Sequence, residues 1–488
     1  MEISGSDLPP RMSEVEALMW ALDADPHLSS NFANVTVLDR VPDLDRLRRT
    51  LGRAVHAVPL LGARPVESPG PLPPRWEPVE HLDLDHHVRH EVLPAGSGLD
   101  EVLRRAAALT ARRFDPDRPL WEFVVYTGLP GGQAAMVQKL HHTITDGKGG
   151  IRMSLAFVDL KRDAPERPEP PTRRATPPEP PGGEATEVTD AADPAERSGT
   201  GAGPLDAVAG AVGSLARRGL DTAGTVAVGV ADAVRDPASL AATLAGLPAE
   251  TAAMVRSLLR QLAVVDRARS PLWTERSLRR ELHVFHVPLD AVRATGKALG
   301  VTVNDLFVAA VAGGAGAYHR ERGAEVDELR LSMPVSTRTD RAVGGNAFAP
   351  TRVLVPLDAD PRRRVEEVHR RLAVTKEERA LGATGALARL VNLVPGPILV
   401  RAARQQVATV DLAASNVRAA PFDLYIAGAL MLANHPIGPL GGTACNITTM
   451  SYRGDLDVGV HVDPAAVTEP AALAAAVEAA FHELLTLG

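Results

Sequence analysis

Residues 141–150 read His-His-Thr-Ile-Thr-Asp-Gly-Lys-Gly-Gly and directly follow a stretch that reads as a strand, Ala134 to Leu140. Strand ends in layered α/β folds are where reactive groups are displayed, so a histidine pair at such an end is a candidate site. A carboxylate four residues on, Asp146, can fix local geometry or a histidine tautomer. Three glycines within four residues, from Gly147 to Gly150, let the backbone turn sharply into a following helix. The chemistry this suits is general base catalysis: a neutral imidazole, with an ordinary pKa of about 6.5, takes a proton from a hydroxyl as it attacks an activated carbonyl.

Other chemistries fit less well. Adjacent residues on an extended strand point to opposite faces, which makes shared metal coordination by His141 and His142 awkward. With one cysteine in the chain, Cys445, no further cluster completes a metal shell, and no metal is expected. There is no G-x-S-x-G elbow, no P-loop and no G-x-G-x-x-G after a strand, so serine hydrolysis, ATP and NAD chemistry lack a motif. A second pair, His86-His87, lies against the acidic run Asp83-Leu84-Asp85 and reads as a structural or surface feature.

The elements that must carry the pair follow from periodicity and turn signals. In the first half, helices are predicted over Glu14–Ala21, Asp43–Ala57 (capped by Asp43), Leu99–Arg112 and Gly149–Val158. Strands are predicted over Asn34–Leu38, Arg75–Val79, Trp121–Thr127 and Ala134–Leu140, the last two forming a hairpin around Leu-Pro-Gly-Gly. In the second half, strands fall at Leu282–Val287, Glu328–Val335, Thr351–Pro356, Cys445–Tyr452 and Asp457–Val462. Helices there span Leu289–Leu299, Val303–Arg320, Arg362–Arg379, Leu387–Arg404 and Ala471–Leu487. Residues 161–204 are crowded with Pro, Glu, Gly, Thr and Ser and read as a flexible linker; residues 205–268, rich in Ala, Gly and Leu, read as a helical connector. The expected architecture is α/β: two similarly built domains of mixed sheet plus helices, over residues 1–160 and 269–488.

Composition agrees with ordinary globular material. In 488 residues, 45 % are hydrophobic and 23 % charged, and 53 Lys+Arg against 60 Asp+Glu give a net charge of −7. A mildly acidic chain with 3 % aromatics lacks the basic field of a nucleic-acid binder, so no nucleic-acid partner is expected. The N-terminus lacks the basic and apolar regions of a secretory signal, and no run reaches the roughly 18 apolar residues of a spanning helix. A cytoplasmic protein is expected, with peripheral attachment to a membrane or lipid droplet left open.

His141-His142-x-x-x-Asp146-Gly147 resembles the HHxxxDG signature of the CoA-dependent acyltransferase superfamily. Within it, the chain is similar to the bacterial wax ester synthase/diacylglycerol acyltransferase family from about Glu14 to Leu487, apart from the linker. The supporting stretches are Pro119-Leu120-Trp121-Glu122, Val303-Asn304-Asp305-Leu306, Met333-Pro334-Val335-Ser336-Thr337-Arg338, Gly345-Asn346, and Ser451-Tyr452-x-Gly454-x-Leu456-x-x-Gly459 with Asp463. One stretch departs: Asn416-Val417-Arg418-Ala419-Ala420 stands where the family has an Asn-Val-Pro-Gly-Pro loop, which bears on substrate preference.

The resemblance implies two chloramphenicol-acetyltransferase-like domains with a tunnel between them. It implies transfer of a fatty acyl group from acyl-CoA, as co-substrate rather than cofactor, to diacylglycerol or a long-chain alcohol. His142 would be the general base, His141 an orienting residue, and Asp146 a structural residue paired with an arginine. Gly147 would give the substrate room. Asn304 and Asp305 either hold the second domain against the site or cap a helix, and Trp121 is either core or a substrate contact. A condensation-type enzyme using another acceptor or a carrier-bound acyl donor, and a catalytically idle lipid-body scaffold, are the alternatives.

Overall fold

The computed structural model describes residues 8–69, 72–145, 150, 153–166, 267–336, 348–380 and 396–488. The linker and connector expected over residues 161–204 and 205–268 lie almost wholly outside these, as do Asp146, Gly147 and the start of the helix expected at Gly149.

In the first half, α1 (Glu14–Leu22) leads into β1 (Asn31–Leu38), α2 (Leu44–Ala57), the small ribbon β2 (Ala63–Val66) and β3 (Arg75–Pro78), and the single turn α3 (Leu84–His87). Then come β4 (Val88–Val92), α4 (Leu99–Ala111), β5 (Trp121–Thr127) and β6 (Ala134–His141). The helix starts are set by short polar side chains: Ser13 and Glu16 form a reciprocal capping box on α1, and Asp43 caps α2 by accepting the Arg46 N–H. The β5–β6 hairpin turns at Gly131 and Gly132, whose φ values of 67° and 75° favour glycine.

The second half runs β7 (Glu281–Pro288), α5 (Leu289–Leu299), α6 (Val303–Glu321), β8 (Glu328–Ser336), β9 (Phe348–Pro356) and α7 (Pro361–Ala380). It continues with α8 (Gly396–Val407), β10 (Leu412–Arg418), β11 (Tyr425–Ile426), β12 (Ala429–Ile437), β13 (Cys445–Tyr452), β14 (Asp455–Val462) and α9 (Pro470–Leu485).

Two six-stranded mixed sheets result, in the orders β11-β12-β1-β6-β5-β4 and β7-β14-β13-β10-β8-β9. The first is not built from the first half alone. β12 pairs antiparallel with β1 from Ala33↔Ile437 to Leu38↔Met431, so a ribbon from the second half completes the sheet that holds the histidine pair. The crossing is close: a Cβ on Gly459 of β14 would overlap the Pro436 carbonyl oxygen of β12. Strands β2, β4, β10, β11 and β12 were not anticipated, and the Asn416-Val417-Arg418 stretch is not a loop. It is the end of β10, parallel to β13 with Asn416↔Thr449 and Arg418↔Ser451, and the Ala419 N–H continues the pairing to the Ser451 carbonyl. Arg418 and Ala419 thus extend a ladder at positions where Pro-Gly would favour a turn.

Apolar side chains fill three layers. One lies between the second sheet and α6, α7 and α9; the other two cover opposite faces of the first sheet, against α2 and α4. The α4 layer includes Leu282 of β7 and Ile437 of β12, so it joins both halves. Every residue of β6 is buried, because the strand is central and covered on both faces. Among the described residues no single helix is long and apolar enough to cross a membrane; α5 and α6 reach that composition only together, across a 99° bend.

Candidate active site

β6 delivers the histidine pair to one end of the first sheet. His141 is the last strand residue, opposite Asn31 of β1, and its N–H donates to the Leu120 carbonyl at the entry to β5. His142 follows outside the strand, its N–H donating to the Ser30 carbonyl at 3.2 Å.

The two rings sit in different surroundings. His141 is fully buried, with the edges of Trp20 and Phe114 against it at centroid distances of 5.9 and 6.3 Å. Its Nδ1 is 2.8 Å from Thr143 Oγ1 and accepts the Thr143 N–H at 3.2 Å. Its Nε2 faces Oδ1 of Asp23 at 3.5 Å. His142 is partly exposed, and its ring lies against Phe32 of β1 with centroids 4.5 Å apart and planes tilted by 38°. Of the pair, His142 is the ring a solvent-borne substrate can reach.

Beneath His141, on the same face of β6, Lys139 is buried without access to solvent. Its ammonium donates to the Arg112 carbonyl at 2.7 Å, stands 3.6 Å from Glu122 of β5, and lies over the Phe114 ring. Burial pulls its pKa down to about 8, against the pull of Glu122 in the other direction. The carboxylate of Asp23 is held below its ordinary range: burial pushes it up, but the His141 ring, Ser29 and Arg113 together outweigh that.

The remaining sequence-predicted residues are dispersed. Trp121 is a core residue, 1 % exposed, its Nε1–H donating to the Leu61 carbonyl at 2.8 Å. His87 stacks on it at 4.4 Å and makes a 2.7 Å bond from Nδ1 to the Trp121 carbonyl, which accounts for the second histidine pair as packing. Asp305 closes a capping box with Thr302 at the start of α6 and meets His369 Nδ1 of α7 at 2.9 Å, so its carboxylate is occupied within the second half. Asn304 is partly exposed, its amide 4.0 Å from the Met333 sulfur. Asp146 and Gly147 lie outside the described residues. Among the described residues, no group of three or more His, Cys, Asp or Glu side chains is placed to hold a metal ion.

The sequence reading missed Asp23. It lies 118 positions before His141 with no local pattern to mark it, and only the fold brings it under the ring.

Two mixed sheets joined by a shared ribbon, with a histidine pair at the end of a central strand, make up the two-lobed fold of the chloramphenicol-acetyltransferase type. The wax ester synthase/diacylglycerol acyltransferase of Marinobacter aquaeolei VT8 superposes with a TM-score of 0.62 over 97 % of this chain and 98 % of that one, at 20 % identity. The first condensation domain of the calcium-dependent antibiotic synthetase gives 0.56 over 99 % and 97 %, at 17 % identity. Residues 12–307 match the family model described as the wax ester synthase/diacylglycerol acyltransferase catalytic domain, and residues 344–485 match its C-terminal domain. A Mycobacterium tuberculosis H37Rv protein provisionally named a diacylglycerol O-acyltransferase is 30 % identical over 98 % of this chain and 93 % of its own length. The chain belongs to the wax ester synthase/diacylglycerol acyltransferase family, and is an acyltransferase.

Proposed function

We propose that the enzyme moves a fatty acyl group from acyl-CoA to the hydroxyl of diacylglycerol or a long-chain alcohol, with His142 as general base. The observation that carries this is the division of the pair: His142 is partly exposed and braced against Phe32, whereas His141 is fully buried with its Nδ1 held by Thr143. A thioester is already activated, so one positioned base suffices. His142 takes the hydroxyl proton as the oxygen attacks the thioester carbonyl. The C–O bond forms, the C–S bond breaks, and the proton passes from the imidazolium to the departing CoA thiolate. The names of the mycobacterial relatives favour diacylglycerol as acceptor. Meeting either acceptor requires contact with the lipid phase that dissolves it.

Thiol release from long-chain acyl-CoA, followed with and without dispersed diacylglycerol or fatty alcohol, tests the reading. Release should depend on the acceptor, and His142→Ala should lower it by roughly 10²–10⁴-fold, the usual contribution of a general base. Circular dichroism should stay native, because the ring carries little of the core. A folded His142→Ala variant of near wild-type rate would remove His142 from the role.

A further inference from the structure

The segment joining α1 to β1 is short and tied at several points. Asp23 closes α1 and is 4 % exposed. One of its carboxylate oxygens, Oδ1, faces His141 Nε2 at 3.5 Å and accepts the Ser30 N–H at 3.3 Å; the other is 3.6 Å from Arg113 Nε. Ser30, at the far end of the segment, gives its carbonyl to the His142 N–H at 3.2 Å. In between, Asp25 is paired with Arg404 of α8, which anchors the segment to the second half.

The hydrogen-bond inventory of His141 fixes its tautomer. The Thr143 amide N–H can only donate, so Nδ1 accepts and the neutral ring carries its proton on Nε2. That proton points toward a carboxylate, the arrangement by which an outer residue orients an imidazole. The 3.5 Å separation is long for a full hydrogen bond and within ion-pair reach. Among the described residues, the other charged groups near this ring include Arg113, after α4, and the Lys139–Glu122 pair below it.

We infer that Asp23 is a positioning residue for the acyl transfer. It orients the buried His141 ring from beneath and, through Ser30, sets the backbone position of His142. Neither histidine could then shift without breaking a contact to the same eight-residue segment. The inference rests on the reading of His142 as base for its kinetic consequence, but not for its structural one.

The experiment uses the full-length chain with Asp23→Asn and Asp23→Ala, both checked for native thermal unfolding. Alanine removes both the charge and the acceptor; asparagine keeps an oxygen of the same reach without the charge. The expected result is a kcat loss of roughly 10–100-fold for Asp23→Ala, the scale seen when an orienting partner of a histidine is removed. Asp23→Asn should recover part of it, and KM for acyl-CoA should stay within about threefold in both, since Asp23 is buried beneath the strand end. In ¹⁵N-histidine-labelled protein, one buried ring N–H should be slow to exchange in the wild type, shifted in the asparagine variant and fast-exchanging or lost in the alanine variant; a His141→Gln control assigns it. Kinetics of wild type in both variants, or a kcat loss with the ring signal unchanged, would overturn the inference. If His142→Ala proves active, the base assignment fails, while the ring signal still reports whether Asp23 holds His141.

Discussion

Burial decides protonation at several single residues of this enzyme, and stability should follow. Burial lowers His87, His435 and His461 to about 4, so each stays neutral in the folded chain while its unfolded counterpart protonates near 6.5. As pH falls from about 6.5 to 4, the unfolded state binds these protons and the folded state does not, so stability is lost. Asp457 runs the other way: burial raises it to about 6, so between pH 6 and 4 the folded state takes up a proton first and gains stability. These four groups by themselves leave a net of two protons, on the order of 2–3 kcal/mol per pH unit at the steepest, and His86 and His319, which burial also lowers, act in the same direction. Urea midpoints should drop between pH 6.5 and 4.5, and His87→Phe, which can still stack on Trp121, should flatten that slope by about one proton. A flat profile across the window would mean that these rings protonate without unfolding. At this same scale the sequence was only partly legible. The histidine pair and the cap Asp43 announce themselves by spacing, whereas the Asp23–His141 contact is made by tertiary folding alone.

Among the elements, those with local punctuation matched expectation to the residue: β5 between Pro119 and the Gly131-Gly132 turn, α5 up to the left-handed Gly300, and β13. The strands that escaped were β2, β4, β10, β11 and β12, and β12 shows why. Asn434, His435 and Pro436 break its apolar alternation, and they can lie in a strand because their partners are supplied from elsewhere. Asn434 Oδ1 accepts from Thr36 Oγ1 at 2.8 Å, its N–H donates to Asp457 at 2.7 Å, and Gln138 joins the row through Thr36. Where β12 passes β14, Gly459 leaves no space for a methyl group. Gly459→Ala should therefore push the two strands apart and cost about 3 kcal/mol or more, well above a surface substitution. The readouts are thermal unfolding and acyl-CoA turnover, both expected to fall together. An alanine variant as stable as the wild type would mean that the crossing is looser than the structure has it.

For the whole molecule, the decisive fact is that the sheet bearing the histidine pair is assembled from both halves. β12 contributes a full antiparallel edge to β1, the α4 layer takes in Leu282 and Ile437, and the Asp25–Arg404 pair adds a further tie. A single protease cut between about Arg167 and Gly203 should therefore leave two fragments that co-elute on gel filtration and keep acyl-transfer activity. Separation of the fragments under native conditions would contradict the shared sheet. Co-elution without activity would give residues 167–203 a part in turnover beyond tethering. The two-domain reading of the sequence captured the repetition of sheet and helices but not this sharing, because hydrophobic patterning reports what a segment buries and not which neighbour covers it.

The shared ribbon also imposes an order of events on biosynthesis. Thr36 and Asn434 are bonded across a sequence separation of 398 residues. When β6 has left the ribosome, β1 still lacks one of its two neighbours, and roughly 300 more residues must be made before β12 arrives. At about 5–20 residues per second that is on the order of 15–60 s, during which the nascent first half presents an unpaired strand edge. The histidine pair is thus encoded early and framed late, and a ribosome-bound or truncated first half should be a client for chaperones rather than a finished lobe.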